Sequence, residues 1–245
     1  MSAVRSSVLD RTIDLGEHGR INSYWHCFGV RNEIVDFGLA CRMLDASQTA
    51  LLPINTNQFR PLIGHGDVTW EQFKPFADLR GLVPCLNINL QTSAAAAVAQ
   101  AVNFRKATGI SLLKLEVLDA DDDSVSNDGA VIDATAILVD DGFTVMPLVS
   151  DSPSAAAQVC VPGVPLLRVM GSPIGSGSGI ASPDRVALIC EDAEVPVILD
   201  GGIGSPGDAR FALELGCSGF LVNSALFTGD LGPDEWLRVY REAVA

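Results

Sequence analysis

The sequence predicts an α/β protein built as a (β/α)8 TIM barrel, a parallel eight-stranded sheet closed on itself. Three observations lead there. Short apolar runs alternate with segments of helical period along the whole chain. The length, 245 residues, matches the roughly 250 that this architecture uses. Glycine-rich loops follow the late apolar runs, where such barrels hold their ligands. A doubly wound open sheet is the rival. Because the repeat runs end to end, a single barrel domain over residues 1–245 is expected.

The early strand runs are residues 22–28, 49–54 and 81–88. The better-defined ones are 112–118 (LLKLEVL), 144–149 (TVMPLV), 166–170 (LLRVM), 195–199 (VPVIL) and 219–222 (GFLV). Their nearly continuous apolar character suits parallel strands covered on their faces. Helices are expected at 93–108, with Thr92 or Ser93 as N-cap, and at 128–141, stopped by Gly142. Two more, 182–192 and 205–215, each open on a Ser-Pro pair; the second stops at Gly216. The last is 233–242.

Thirty acidic against 16 basic residues give a net charge of −14, which repels nucleic acid and anionic membranes. An anionic ligand therefore needs a local binding device. No apolar run reaches the roughly 18 to 20 residues of a membrane helix. The start, MSAVRSSVLDRTIDLG, lacks the apolar core of a secretory signal, so a cytoplasmic location is expected. Cys27, Cys41, Cys85, Cys160, Cys190 and Cys217 form no CxxC pair and read as free thiols. No HExxH, GxSxG or Cys/His ligand spacing asks for a metal.

Lys114 lies in the middle of an apolar strand. Burial strips protons from ammonium groups, and a neutral amine attacks carbonyls. The alternatives are a solvent-facing edge lysine or one snorkelling between helices. Glu116, two residues on, shares its face, giving either an amine with a proton shuttle or a structural ion pair. Asp200 ends the seventh run, where barrel enzymes place catalytic groups; capping the next turn is its other reading.

Residues 201–207 (GGIGSPG) contain a formal GxGxxG, but no acid for a ribose hydroxyl ends the next strand. A barrel phosphate site fits better, built from backbone N–H groups and a helix N-terminus, with Asn223 and Ser224 completing it. Residues 171–179 (GSPIGSGSG) form a second glycine loop, read as a lid or a flexible connection. Residues 119–123 read as a solvated acidic turn.

LLKLEVLD, DDGFTVMPLVSDSP, MGSPIGSGSGI and VPVILDGGIGSPGDARFALELGCSGFLVNSAL together resemble the thiazole synthase family. The resemblance is dense over residues 112–226. It implies a lysine that forms an imine with a phosphorylated sugar, with no cofactor and no metal. It also implies a sulfur donor, the Gly-Gly thiocarboxylate terminus of a ubiquitin-like carrier protein, and a homo-oligomer. Lys114 matches the imine lysine, and Glu116 and Asp200 its acid/base pair. Gly171, Gly202, Ile203, Asn223 and Ser224 match the phosphate cradle.

The first hundred residues depart from the family. Where it carries an L-P-N-T-A-G-type strand end, this chain reads Val83-Pro84-Cys85-Leu86-Asn87-Ile88-Asn89. The ends of the first three strands offer His26, then Asn55, Asn57 and Gln58, then Asn87, Asn89 and Gln91. Carboxamides donate and accept hydrogen bonds, which suits the hydroxyls of a hexose; they are also common in loops. Related enzymes make 2-thiosugar phosphates. The expected reaction is formation of a 2-thiohexose 6-phosphate from glucose 6-phosphate. The alternative is the thiazole of thiamin from 1-deoxy-D-xylulose 5-phosphate. An aldolase or isomerase using the same lysine, and a silent phosphosugar-binding subunit, are further readings.

Overall fold

The computed structural model describes residues 11–29, 33–57 and 60–245. Residues 1–10, most of the N-terminal segment read above, and Gln58 lie outside them. Strands β1 (Thr12–Asp14) and β2 (Arg20–Asn22) pair as an antiparallel hairpin. Eight strands follow: β3 (Tyr24–His26), β4 (Leu51–Asn55), β5 (Val83–Gln91), β6 (Leu112–Val117), β7 (Thr144–Val149), β8 (Leu167–Val169), β9 (Val197–Asp200) and β10 (Gly219–Val222). Between and after them lie α1 (Phe37–Ser47), α2 (Trp70–Arg80), α3 (Ala94–Thr108), α4 (Asp128–Asp140), α5 (Pro153–Val159), α6 (Pro183–Asp192), α7 (Pro206–Glu214) and α8 (Pro233–Ala243).

The sheet order is β3-β10-β9-β8-β7-β6-β5-β4, and every neighbouring pair is parallel. This is chain order wrapped round, a (β/α)8 barrel with its seam between β3 and β4. The seam has a chemical cause. Leu51, Pro53 and Asn55 turn their backbones to the same side of β4. Proline has no N–H to give. The Leu51 amide goes to Thr49 Oγ1 at 3.3 Å, and the Asn55 amide to the Leu62 carbonyl at 2.7 Å. On the other flank of β3, Gly219 leaves room for β10: a Cβ there would lie 1.7 Å from the Ser23 carbonyl oxygen.

Alternation along each strand sets the barrel interior. Leu51, Cys85, Leu112, Met146, Leu166 and Ile198 form a buried apolar layer toward the N-terminal end. Ile13, Leu15 and Ile21 of the hairpin pack onto it and plug that end. His18, in the hairpin turn, bonds Thr144 Oγ1 at 3.1 Å. One step up the strands the inward residues become polar: Asn87, Lys114, Arg168 and Asp200 are all buried. The charged groups can be accommodated there because Lys114, Arg168 and Asp200 pair with one another and with Glu116.

Most helix ends follow their local signals. Ser93 and Ser205 accept from the amides three residues on, and Gly109 and Gly142 take the left-handed conformation after α3 and α4. Ser182 departs from expectation: its side chain makes no cap bond, and α6 simply begins at Pro183. All six cysteines are free. No helix among the described residues is long and apolar enough to cross a membrane.

Candidate active site

Strand β6 turns Lys114 and Glu116 into the barrel, 3% and 7% exposed. The Lys114 ammonium donates to Glu116 Oε1 and stands 3.7 Å from Asp200 Oδ2 at the end of β9. Between the two carboxylates lies a group the sequence reading missed, Arg168 of β8, which is fully buried. Its Nη1 donates to Glu116 Oε1 at 3.1 Å and also to Asp200 Oδ2. Its Nη2 donates to the Leu115 carbonyl at 2.6 Å and its Nε to the Met146 carbonyl at 3.1 Å. Two cations face two anions, so the cluster is neutral overall. The signal for Arg168 was the same as for Lys114: one charge inside an apolar run, LLRVM.

This arrangement corrects the expectation of an uncharged lysine. Desolvation, the largest influence on Lys114, pulls its pKa down, and Arg168 adds to that pull. Glu116 and Asp200 outweigh both and hold the group above its ordinary value. For Glu116, burial pushes the pKa up, but the charges and hydrogen bonds of Lys114 and Arg168 bring it below the usual carboxylate range. The resting pair is therefore ammonium and carboxylate, and any chemistry of the amine begins with a proton transfer.

Above the cluster opens a cavity of about 580 Å³ at the C-terminal ends of the strands, within the range of roughly 300 to 1,000 Å³ for small-molecule sites. Lys114, Glu116 and Asp200 form part of its lining, together with Gly202, Ile203, Asn223 and Ser224. The lysine and the loops after β9 and β10 thus share one space. The loop after β8 walls the same cavity through residues 174–177. It is tied across the mouth by the Ile174 amide on the Ser124 carbonyl (2.8 Å) and to the neighbouring loop by the Gly179 amide on the Gly202 carbonyl (2.7 Å). Gly202, at φ +85°, is required there: a Cβ would sit 2.2 Å from Ser172 Oγ and 2.3 Å from the Gly179 oxygen.

Several expected residues sit elsewhere or are already engaged. Gly171 does not line the cavity: its amide donates to the Gly201 carbonyl at 3.3 Å, and its carbonyl accepts from Ala181. The first amides around α7 are occupied too, since those of Gly204 and Ser205 donate to Asp208 Oδ2 at 3.1 and 2.8 Å. Asn223 lines the cavity, but its carboxamide is paired with both backbone groups of Gly29. The acidic turn reaches the rim through Asp123 and Ser124.

Asn55 is likewise committed. Its amide nitrogen donates to the Gly64 carbonyl at 3.0 Å and lies 3.2 Å from His65 Nε2, while its oxygen accepts from the Asn57 amide. It positions His65, a cavity residue the sequence reading did not single out. Asn57, Asn87 and Asn89 do face the cavity. Both polar side-chain atoms of Asn57, and Oδ1 of Asn87 and of Asn89, are buried without a hydrogen-bond partner.

His26 faces away from the cavity, against α1. It is fully buried, with Nδ1 on the Cys27 carbonyl and Nε2 on Ser47 Oγ, each at 3.0 Å. Burial pushes its pKa from 6.5 down to about 4, only partly opposed by the Cys27 carbonyl. The unfolded chain thus binds a proton in a window where the folded one does not. Stability is full above pH 6.5 and falls as pH drops toward 4, by on the order of 2 kcal/mol between pH 7 and 5. Urea unfolding midpoints at the two pH values should show that loss, and His26→Gln should remove most of it.

A (β/α)8 barrel with a buried lysine between two carboxylates, under glycine-rich loops at the strand ends, has the layout of barrels that work at their C-terminal face. The chain belongs to the thiazole synthase family: the family model described as Thiazole biosynthesis protein ThiG matches residues 69–233. It is 42% identical to the thiazole synthase of Acinetobacter baylyi over 118 residues, 48% of this chain and 45% of that one. With the thiazole synthase of Methylobacterium sp. it shares 39% over 148 residues, 60% and 56% of the two chains. The matches thus span about half the length of these curated relatives.

Among solved structures, the Amycolatopsis orientalis BexX/CysO complex superposes with a TM-score of 0.81 at 24% identity, covering 97% of this chain and 92% of that one. A structure described as native KDPGal gives 0.53 at 15% identity over 90% and 92%. At such identities both likenesses speak for the fold.

Proposed function

We propose that the protein transfers sulfur onto a phosphorylated sugar through an adduct on Lys114, the sulfur arriving as a carrier-protein thiocarboxylate. The observation that carries this reading is Lys114 itself, buried between Glu116 and Asp200 and open to the cavity that the loops after β9 and β10 complete. Glu116, bonded to the ammonium, takes its proton. The freed amine condenses with C1 of glucose 6-phosphate and releases water. Glu116 or Asp200 then moves the C2 proton to C1, leaving a C2 ketone on an amine still attached to Lys114. The thiocarboxylate attacks C2. Sulfur stays on the sugar, and the C2 oxygen leaves on the carrier as carboxylate. Reversal of the proton shift and hydrolysis of the imine release a 2-thiohexose 6-phosphate.

Gly202, Ile203, Asn223 and Ser224 hold the phosphate at the far wall of the cavity, a local device that an acidic protein needs. The unpartnered atoms of Asn57, Asn87 and Asn89 support a polyol. A buried polar atom without a partner costs about 1 to 3 kcal/mol, and sugar hydroxyls supply the missing bonds. Asn57→Ala and Asn89→Ala should each raise KM for glucose 6-phosphate about 2- to 10-fold with kcat little changed. Thermal stability should stay level or rise in both variants, because each removes an unsatisfied group.

A protein partner is favoured by the neighbour solved as a BexX/CysO complex; the carrier's tail would enter at the open mouth. We place the protein in the cytoplasm and expect a homo-oligomer. The second reading, favoured by the curated relatives, is thiazole formation from 1-deoxy-D-xylulose 5-phosphate. Incubation of each sugar with a thiocarboxylated Gly-Gly carrier, followed by mass analysis of small-molecule thiols, separates the two. Sulfur at C2 of the hexose is the expected result. Sulfur products from the deoxypentulose alone would select the second reading.

A further inference from the structure

The mechanism above uses Lys114, Glu116 and Asp200 and leaves Arg168 without a task. We propose that Arg168 is a positioning residue that fixes the two carboxylates around Lys114 and keeps the cluster neutral, so that the lysine can yield its proton. The inference rests on the proposed lysine chemistry and deepens it.

The geometry is specific. The guanidinium reaches four strands: it stands on β8, bonds Leu115 and Glu116 of β6, Met146 of β7 and Asp200 of β9. With Nε and Nη2 fixed on carbonyls, Nη1 has one direction left, and both carboxylates meet there. Arg suits this because its donors form a rigid fork and its charge cannot be titrated away. With Arg168 present, passing a proton from Lys114 to Glu116 leaves the Arg168–Asp200 pair balanced and the pocket uncharged. Without it, two carboxylates would surround one ammonium, and their field would hold the proton on Lys114.

Of the other titratable groups facing Lys114, Cys27 adds the weakest influence, on the raising side. Cys27, after β3, has its thiol pushed up to about 11 by burial. Cys85 of β5 is raised further, again by burial. Both stay neutral. His65 and Asp123 stand on the cavity wall. In the folded protein Arg168 pulls the Lys114 pKa down, against the two carboxylates.

The test reads Lys114 without any sugar. Acetylation of the free protein with acetic anhydride at pH 9, mapped by peptide mass, reports the fraction of neutral amine. Arg168→Gln should lower the Lys114 rate at least about ten-fold, the change that one unit of pKa produces. Arg168→Met should do the same, and either variant suffices if the other fails to fold. Arg168→Lys keeps the charge and loses the fork. It should label Lys114 near the wild-type rate while forming the borohydride-trapped glucose 6-phosphate adduct more slowly. Wild-type labelling in the folded neutral variant would overturn the inference. So would equal loss in Arg168→Lys and Arg168→Gln, which would indicate packing alone. Failure of the wild-type protein to form a sugar adduct would instead count against the proposed function, with the acetylation result still deciding the role of Arg168.

Discussion

Lys114→Ala should abolish the sugar adduct and lower thiosugar formation by on the order of 10³-fold or more, the scale on which loss of a covalent nucleophile is felt. The truncation also leaves Arg168 alone against two buried carboxylates, and breaking such a cluster costs about 3 to 5 kcal/mol. Lys114→Arg is therefore the paired variant. It keeps the positive charge beside Glu116 and Asp200, but a guanidinium stays protonated and forms no imine. Loss of turnover in a well-folded Lys114→Arg protein assigns the effect to chemistry. Turnover within a few-fold of wild type in either variant would remove the covalent route.

Asp200→Asn should separate the steps. Asparagine can still accept from Arg168 through Oδ1, so the cluster keeps its geometry, and Glu116 remains to deprotonate Lys114. Condensation with the sugar should therefore proceed. The C2 proton shift should slow, and overall turnover should fall about 10²- to 10⁴-fold, the contribution of a positioned general acid or base. The expected signature is a trapped adduct that accumulates while thiosugar does not appear. If Asp200→Asn turns over like wild type, Glu116 carries every proton transfer alone.

The regular parts of the barrel were legible because they obey strong local rules. Strands at 144–149 and 219–222 match β7 and β10 residue for residue, as buried parallel strands read as continuous apolar runs between turn signals. The hairpin Thr12–Asn22 was not foreseen. Its three-residue strands are too short to show a period, and only its contact with the barrel floor gives Ile13, Leu15 and Ile21 a buried face. Helix α2 was not located either. It carries a capping box, Thr69 with Gln72, but Pro75 inside it reads locally as a stop.

In the site, Lys114, Glu116 and Asp200 were legible as charges at the inward positions or ends of apolar strands, and the structure brings them together. The charge state of Lys114 was not. Burial alone argues for a neutral amine; what reverses that argument is the pull of Glu116 joined by that of Asp200, which lies 86 positions after Lys114 and reaches it only through the tertiary fold. His26 failed as a rim residue for a related reason. Its strand position was foreseen, but alternation turns residue 26 outward to Ser47 and residue 27 inward to the cavity, and a strand end uncertain by one residue inverts the assignment.

Every step proposed for this site depends on the Lys114 nitrogen meeting a sugar carbonyl. The direct measurement is borohydride reduction of the wild-type protein with glucose 6-phosphate, followed by intact mass and peptide mapping. One sugar phosphate per chain, attached at Lys114 and absent from Lys114→Arg, is the predicted result. An unmodified protein, or an adduct spread over Lys74 and Lys106 as readily as Lys114, would contradict it.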